Sequence, residues 1–99
     1  MTQHRMRVVV ESMKQKMVVR GMIPARYNSN DQAFDDVRGQ VEHALWMCDE
    51  VRIFIDTGRT AKAMRWMGFI QAVMWCSGYY TIEELKVMNK EVITDAGRD

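Results

Sequence analysis

Residues 59 to 66, RTAKAMRW, gather the side chains of this chain best suited to holding an anion. On a helix, Lys62 and Arg65 are three apart and therefore neighbours, and Trp66 lies one turn from Lys62, with Arg59 just before the helix begins. The free N–H groups of a helix N-terminus add to the pull on a negative charge, and an indole offers a face on which a base can stack. The chemistry implied is binding of a small anionic, nucleotide-like ligand by Arg59, Lys62, Arg65 and Trp66. The competing reading has Lys62 and Arg65 bridge to acids of the preceding segment such as Asp56, with Trp66 simply part of the core. A second source of cations, Arg20 and Arg26 with Tyr27 beside them, lies in or next to the stretch GMIPARYNSN.

Catalysis has less to stand on. The two histidines are His4 and His43, and no Ser or Asp stands at a recognisable nucleophile spacing from either. The glycines are scattered singly, so there is no phosphate-cradling loop. Glu83 and Glu84 are adjacent, project in different directions from a helix and do not form a catalytic pair. Cys48 and Cys76 lack zinc-ligand spacing and read as reduced core residues. The reading is therefore a non-enzyme, without cofactor or metal, that acts by binding.

Ninety-nine residues make one domain with a single core. Fourteen Lys plus Arg against 13 Asp plus Glu leave a net charge of +1, which argues against general attraction to nucleic acid. Ten Met and three Trp supply adaptable, large contact surfaces, in a Met-rich core or on an interface. The N-terminus MTQHRMRVVVESMKQK has too short an apolar run for a secretory signal. The uncharged stretch from Trp66 to Tyr80 is shorter than the ~20 residues needed to span a bilayer. The expected location is the cytoplasm.

Four segments must position these residues. Met6, Val9, Val10, Met13 and Met17 follow a helical period within residues 1–20, although the run Val8, Val9, Val10 favours a strand. Residues 21–30 form a linker with the chain's single Pro. Asn30 or Asp31 caps a helix over residues 31–57, in which Phe34, Val37, Val41, Leu45, Cys48, Val51 and Ile55 recur at three and four. Gly58 stops it, Thr60 starts the next, and residues 61–77 complete an antiparallel helical hairpin. Gly78 ends the third helix; Thr81 and Glu84 form a capping box for a fourth over 82–93, after which the polar tail is expected to fray. The fold class is all-α, a hairpin with an N-terminal helix and a short C-terminal one.

Counting back from the turn puts Cys48 level with Gly68, and Gly39 level with about Ser77, so that the backbones can cross closely there. The same count separates Cys48 from Cys76 by roughly 12 Å along the helices, too far for a disulfide. The third helix is apolar almost all round: Ala63, Met67, Ile70 and Met74 on one face, Trp66, Phe69, Val73 and Cys76 on another. That predicts either a central position or self-association, with Met67, Phe69, Ile70, Val73 and Met74 at the subunit interface. In an oligomer, the linker with Arg26 and Tyr27 would close over a pocket between subunits.

From His43 to Lys90, the runs WMCDE, GRTAKAMRWMGFIQAVMW and GYYTIEELKVMNK resemble a set of small uncharacterised proteins of tailed bacteriophages and prophages. These carry a KAxRWLGFxQGxLW run followed by a TIEELK-like helix. Met67 stands here where Leu is commoner, and Ala72 where the pattern often has Gly. The resemblance covers about half the chain, brings no catalytic residues and implies a genomic context. In size and helix content the chain is also similar to small helical phage oligomers that sequester the cyclic-nucleotide signals of bacterial immunity. Together these imply a phage accessory protein in the infected bacterial cytoplasm, a homo-oligomer that antagonises host defence by sequestering a nucleotide-like signal. The alternatives are a protein–protein inhibitor that covers a host protein with an apolar Met/Trp surface, and a nucleic-acid-binding protein working through the basic first helix.

Overall fold

The computed structural model describes residues 3–27 and 36–98, with side chains through residue 90. Four helices follow in order: α1 (Gln3–Val19), α2 (Val37–Asp56), α3 (Thr60–Cys76) and α4 (Ile82–Arg98). Among the described residues there is no strand, so the chain is all-α. The β-branched run in α1 is absorbed by the helical period: Val9 and Val10 are fully buried while Val8 turns outward. Burial of one face outweighs the weak strand preference of three residues.

The stops are set by glycine. After α2, Gly58 takes φ +77°, a conformation that costs a residue with a Cβ more than it costs glycine. Its N–H donates to the Ile55 carbonyl at 3.2 Å, and the Arg59 N–H reaches back to Phe54 at 2.8 Å. This pair of bonds satisfies carbonyls that the helix end leaves free. Gly78 ends α3 in the same way, with Tyr79 N–H on the Met74 carbonyl at 2.8 Å.

The starts differ in part from the sequence reading. Helix α2 begins at Val37 with Asp36 at the cap position and no side-chain cap bond; Phe34, Asn30 and Asp31 lie outside the described residues. Helix α3 begins at Thr60, as expected, with Arg59 at the cap position and again no side-chain bond. The capping box of α4 does form: Thr81 N–H donates to Glu84 Oε1 at 2.9 Å and Glu84 N–H to Thr81 Oγ1 at 3.1 Å. These bonds, with Lys16 nearby, hold the Glu84 carboxyl below its usual range. Helix α4 continues to Arg98, past the expected end at 93, and residues 94–98 contain no proline to break the ladder.

Helix α2 packs against both α1 and α3, and α4 touches α1. The central element is thus α2, and α3 lies on its flank. Met6, Met13, Met17, Met47, Met67 and Met74 are buried among Val41, Leu45, Cys48, Val51, Ile55 and Ile70. Six of the ten methionines therefore fill the core, each burial contributing about 1.5–3 kcal/mol. Surface ion pairs, the Lys14 one part-buried, tie α1 to α2: Arg7 with Asp56 at 2.6 Å, Lys14 with Asp49 at 2.9 Å and Arg52 with Glu11 at 3.5 Å. Such pairs contribute about 0–1 kcal/mol each and orient the helices more than they hold them.

Helices α3 and α4 are joined by an amide clasp. Gln71, 6% exposed, donates Nε2–H to Asn89 Oδ1 and accepts Asn89 Nδ2–H, both at 2.7 Å. Gln71 is thus a paired buried polar group and not a break in the apolar run.

Candidate functional site

On α2, His43, Trp46, Glu50 and Phe54 recur at three and four and share one face of the helix. Trp66 of α3 meets two of them: its ring lies 6.3 Å from Trp46 and 4.9 Å, edge-on, from Phe54. On the other side His43 stands 5.3 Å from Trp46 and 6.5 Å from Tyr27. The result is a continuous aromatic strip running from the linker across α2 to the start of α3.

Cations sit on this strip. Arg26 lies over Trp46 at 5.3 Å, Arg59 over Phe54 at 5.3 Å, and Lys62 over Phe54 at 4.7 Å and Trp66 at 5.7 Å. Among the described residues none of the three pairs with a carboxylate, whereas Arg7, Lys14, Lys16, Arg38, Arg52 and Lys86 each do. Asp56, the expected partner of Lys62 and Arg65, is taken by Arg7 of α1, whose Nε and Nη2 both donate to Oδ1. A guanidinium lying on a ring keeps its in-plane N–H groups free for an oxyanion, and the ring fixes its position.

The segment that carries Arg26 is strapped along α2. Ile23 N–H donates to Glu42 Oε2 at 3.0 Å, Ala25 N–H to the Glu42 carbonyl at 3.1 Å, and Tyr27 N–H to His43 Nδ1 at 3.1 Å. Accepting that bond places the proton of a neutral His43 ring on Nε2. Burial, then the nearby Arg26 charge, push the His43 pKa below 6.5, so the ring stays neutral at neutral pH. His43 is a fastener of the strap.

The structure thus brings Arg59, Lys62, Trp66, Arg26 and Tyr27 into one neighbourhood within a single chain. Arg65 is not part of it: it is exposed, on the outward side of α3, and among the described residues the cations over the strip's rings are Arg26, Arg59 and Lys62. Of the expected interface residues, Met67, Ile70 and Met74 are buried inside the chain and offer a partner nothing, Val73 is half-buried, and Phe69 is 56% exposed. Cys48 is buried, its thiol pushed up to about 12 by burial and then by the Asp49 charge; Cys76, expected in the core, is exposed, and both are free. Gly68 also faces outward, with nothing within 4 Å of an added Cβ, so it makes no close crossing with α2.

Three residues of the strip escaped the sequence reading as site members: His43, Trp46 and Phe54. Their spacing on α2 was a usable signal for a shared face. That Arg26 folds back onto it was not visible. A shallow groove of about 430 Å³, walled by His4, Arg7, Val8, Glu11 and Arg52, lies elsewhere between α1 and α2, and its two arginines already have carboxylate partners. Among the described residues no three His, Cys, Asp or Glu side chains gather to hold a metal, and no helix is long and apolar enough to cross a membrane. No protein-family model, curated protein or solved structure matches the chain.

Proposed function

We propose that this chain is a non-enzymatic binding protein that takes a small anionic, nucleotide-like ligand on the cation–aromatic strip. One observation carries the reading: Arg26, Arg59 and Lys62 rest on aromatic faces without a carboxylate partner among the described residues, in a chain that pairs most of its other cations. Phosphate oxygens suit the outward N–H groups, and the edges of Trp46 and Trp66 suit a base. The sequence resemblance adds the setting, a phage or prophage accessory protein that counteracts a host factor or immune signal in the infected cell, and self-association belongs to the same reading. The second reading, a protein–protein inhibitor, draws on Phe69 and Trp75, which are 56% and 50% exposed.

Titration calorimetry with a cyclic dinucleotide as probe tests the first reading. Arg26→Ala with Lys62→Ala should weaken binding about a hundredfold or more, since each charge-assisted hydrogen bond contributes roughly 1.5–3 kcal/mol. Among the described residues neither side chain makes an ion pair, so the circular dichroism spectrum should be unchanged. Glu50→Gln, which removes the carboxylate from this face of α2, should tighten binding. A folded double variant with wild-type affinity would remove the strip from the account.

A further inference from the structure

Helix α3 has a second apolar face that no described residue covers. At about 100° per residue, the core face centres on Ala63, Met67, Ile70 and Met74. One flank, with Lys62 and Trp66, meets the rings of α2; the other, with Gln71, is clasped to Asn89 of α4. What remains lies within about 60° of Ala72 on either side: Ala61 at the start of the helix, then Arg65, Gly68, Phe69, Ala72, Trp75 and Cys76, all exposed. Arg65 is the single charge among them.

We infer that this face pairs with the same face of a second copy, α3 antiparallel to α3 about a twofold axis at Ala72. The inference rests on the self-association proposed above and supplies its geometry. Two features select a second copy as the occupant. The first is the arrangement of large against small. A twofold axis at Ala72 puts position 68 level with position 76 of the partner, and 69 level with 75. Gly68 and Trp75 lie to one side of the Ala72 line and Phe69 and Cys76 to the other. Each Trp75 therefore comes to lie over the Gly68 of the partner subunit, and each Phe69 beside the partner's Cys76.

The second feature is charge complementarity. Arg65 precedes Ala72 by about 10.5 Å of helix rise, and the same rise beyond Ala72 passes the last helical residue, Cys76. Arg65, which has no carboxylate partner among the described residues, thus reaches the carbonyl-bearing, negative end of the partner's α3. Antiparallel pairing satisfies both copies at once. With Phe69 and Trp75 about half exposed, the four rings would bury roughly 400 Å², part of the about 1,200 Å² at which specific interfaces begin. The association is accordingly reversible and is to be sought at tens of micromolar.

Gly68 gives a test in which a broken interface and a broken fold separate. Nothing lies within 4 Å of a Cβ at Gly68, so Gly68→Gln fits the single chain and improves its helix propensity. In the dimer the new side chain occupies the seat of the partner's Trp75. Sedimentation equilibrium over about 10–300 μM should show the wild-type mass rising from 11.6 kDa toward twice that value, with Gly68→Gln and Ala72→Glu staying near 11.6 kDa. The melting temperature of Gly68→Gln, read at low micromolar concentration, should not fall. A monomeric wild type overturns both self-association and this interface. An oligomer unaffected by either substitution, or one larger than two, keeps self-association and overturns the face and its twofold register.

Discussion

Replacing Gln71 by Ala cuts the clasp between α3 and α4. Gln71 is 6% exposed and its amide is engaged twice with Asn89 at 2.7 Å, an arrangement in which each amide donates once and accepts once. At about 0.5–1.5 kcal/mol for each net hydrogen bond, two bonds amount to about 1–3 kcal/mol. Asn89 is only half-buried, so water can replace part of what it loses, which favours the lower half of that range. For a domain of this size about 1 kcal/mol corresponds to roughly 4–8 °C in melting temperature. Urea unfolding of wild type, Gln71→Ala, Asn89→Ala and the double variant forms a cycle, whose coupling energy should be about 1–2 kcal/mol. The pair Gln71→Leu with Asn89→Leu should recover most of the loss, because both polar groups leave together. A coupling energy below about 0.3 kcal/mol would mean that the amides act independently and that α4 is not held by this clasp.

The two cysteines should separate in a thiol titration: one fast group in the native protein, Cys76, and two after denaturation, since burial pushes Cys48 up to about 12. Two fast groups in the native state would contradict the buried position of Cys48. The His43 strap should make stability depend on pH, because a folded-state pKa below 6.5 means that the unfolded chain takes up the proton first. Its contribution is complete above pH 6.5 and is lost as the pH falls from there toward the folded-state value. His43→Gln, whose amide oxygen can still accept the Tyr27 N–H, should flatten that slope in denaturation measured from pH 7 to 5; an unchanged slope would refute the role of His43.

Much of the helical layout was legible because period and punctuation agreed. The burial of Met6, Val9, Val10, Met13 and Met17 on one face of α1 follows their spacing, and Gly58 and Gly78 end helices where a positive φ is needed. The capping box at Thr81 was legible because both of its bonds lie within four residues. Starts that depend on backbone geometry alone, at Asp36 and Arg59, carried no side-chain signal. Counting from the turn says nothing of the angle of Gly68 around the helix, and Gly68 faces outward. Membership of the strip was half legible: Lys62 and Trp66 are one turn apart, whereas Arg26 reaches Trp46 only because the strap folds back onto Glu42 and His43. The charge of Asp56 was legible, but its choice of Arg7 over Lys62 depends on how α1 lies across α2.

Three tryptophans make the central claim directly readable, because Trp46 and Trp66 lie on the strip and Trp75 on the outward face of α3. Each indole gives its own N–H signal in a ¹H–¹⁵N spectrum. Titration of the labelled wild-type protein with a cyclic dinucleotide should move the Trp46 and Trp66 indole signals along one binding curve, with that of Trp75 unmoved. A Trp75 signal that moves alone, or three signals that stay in place up to millimolar probe, would contradict binding on the strip.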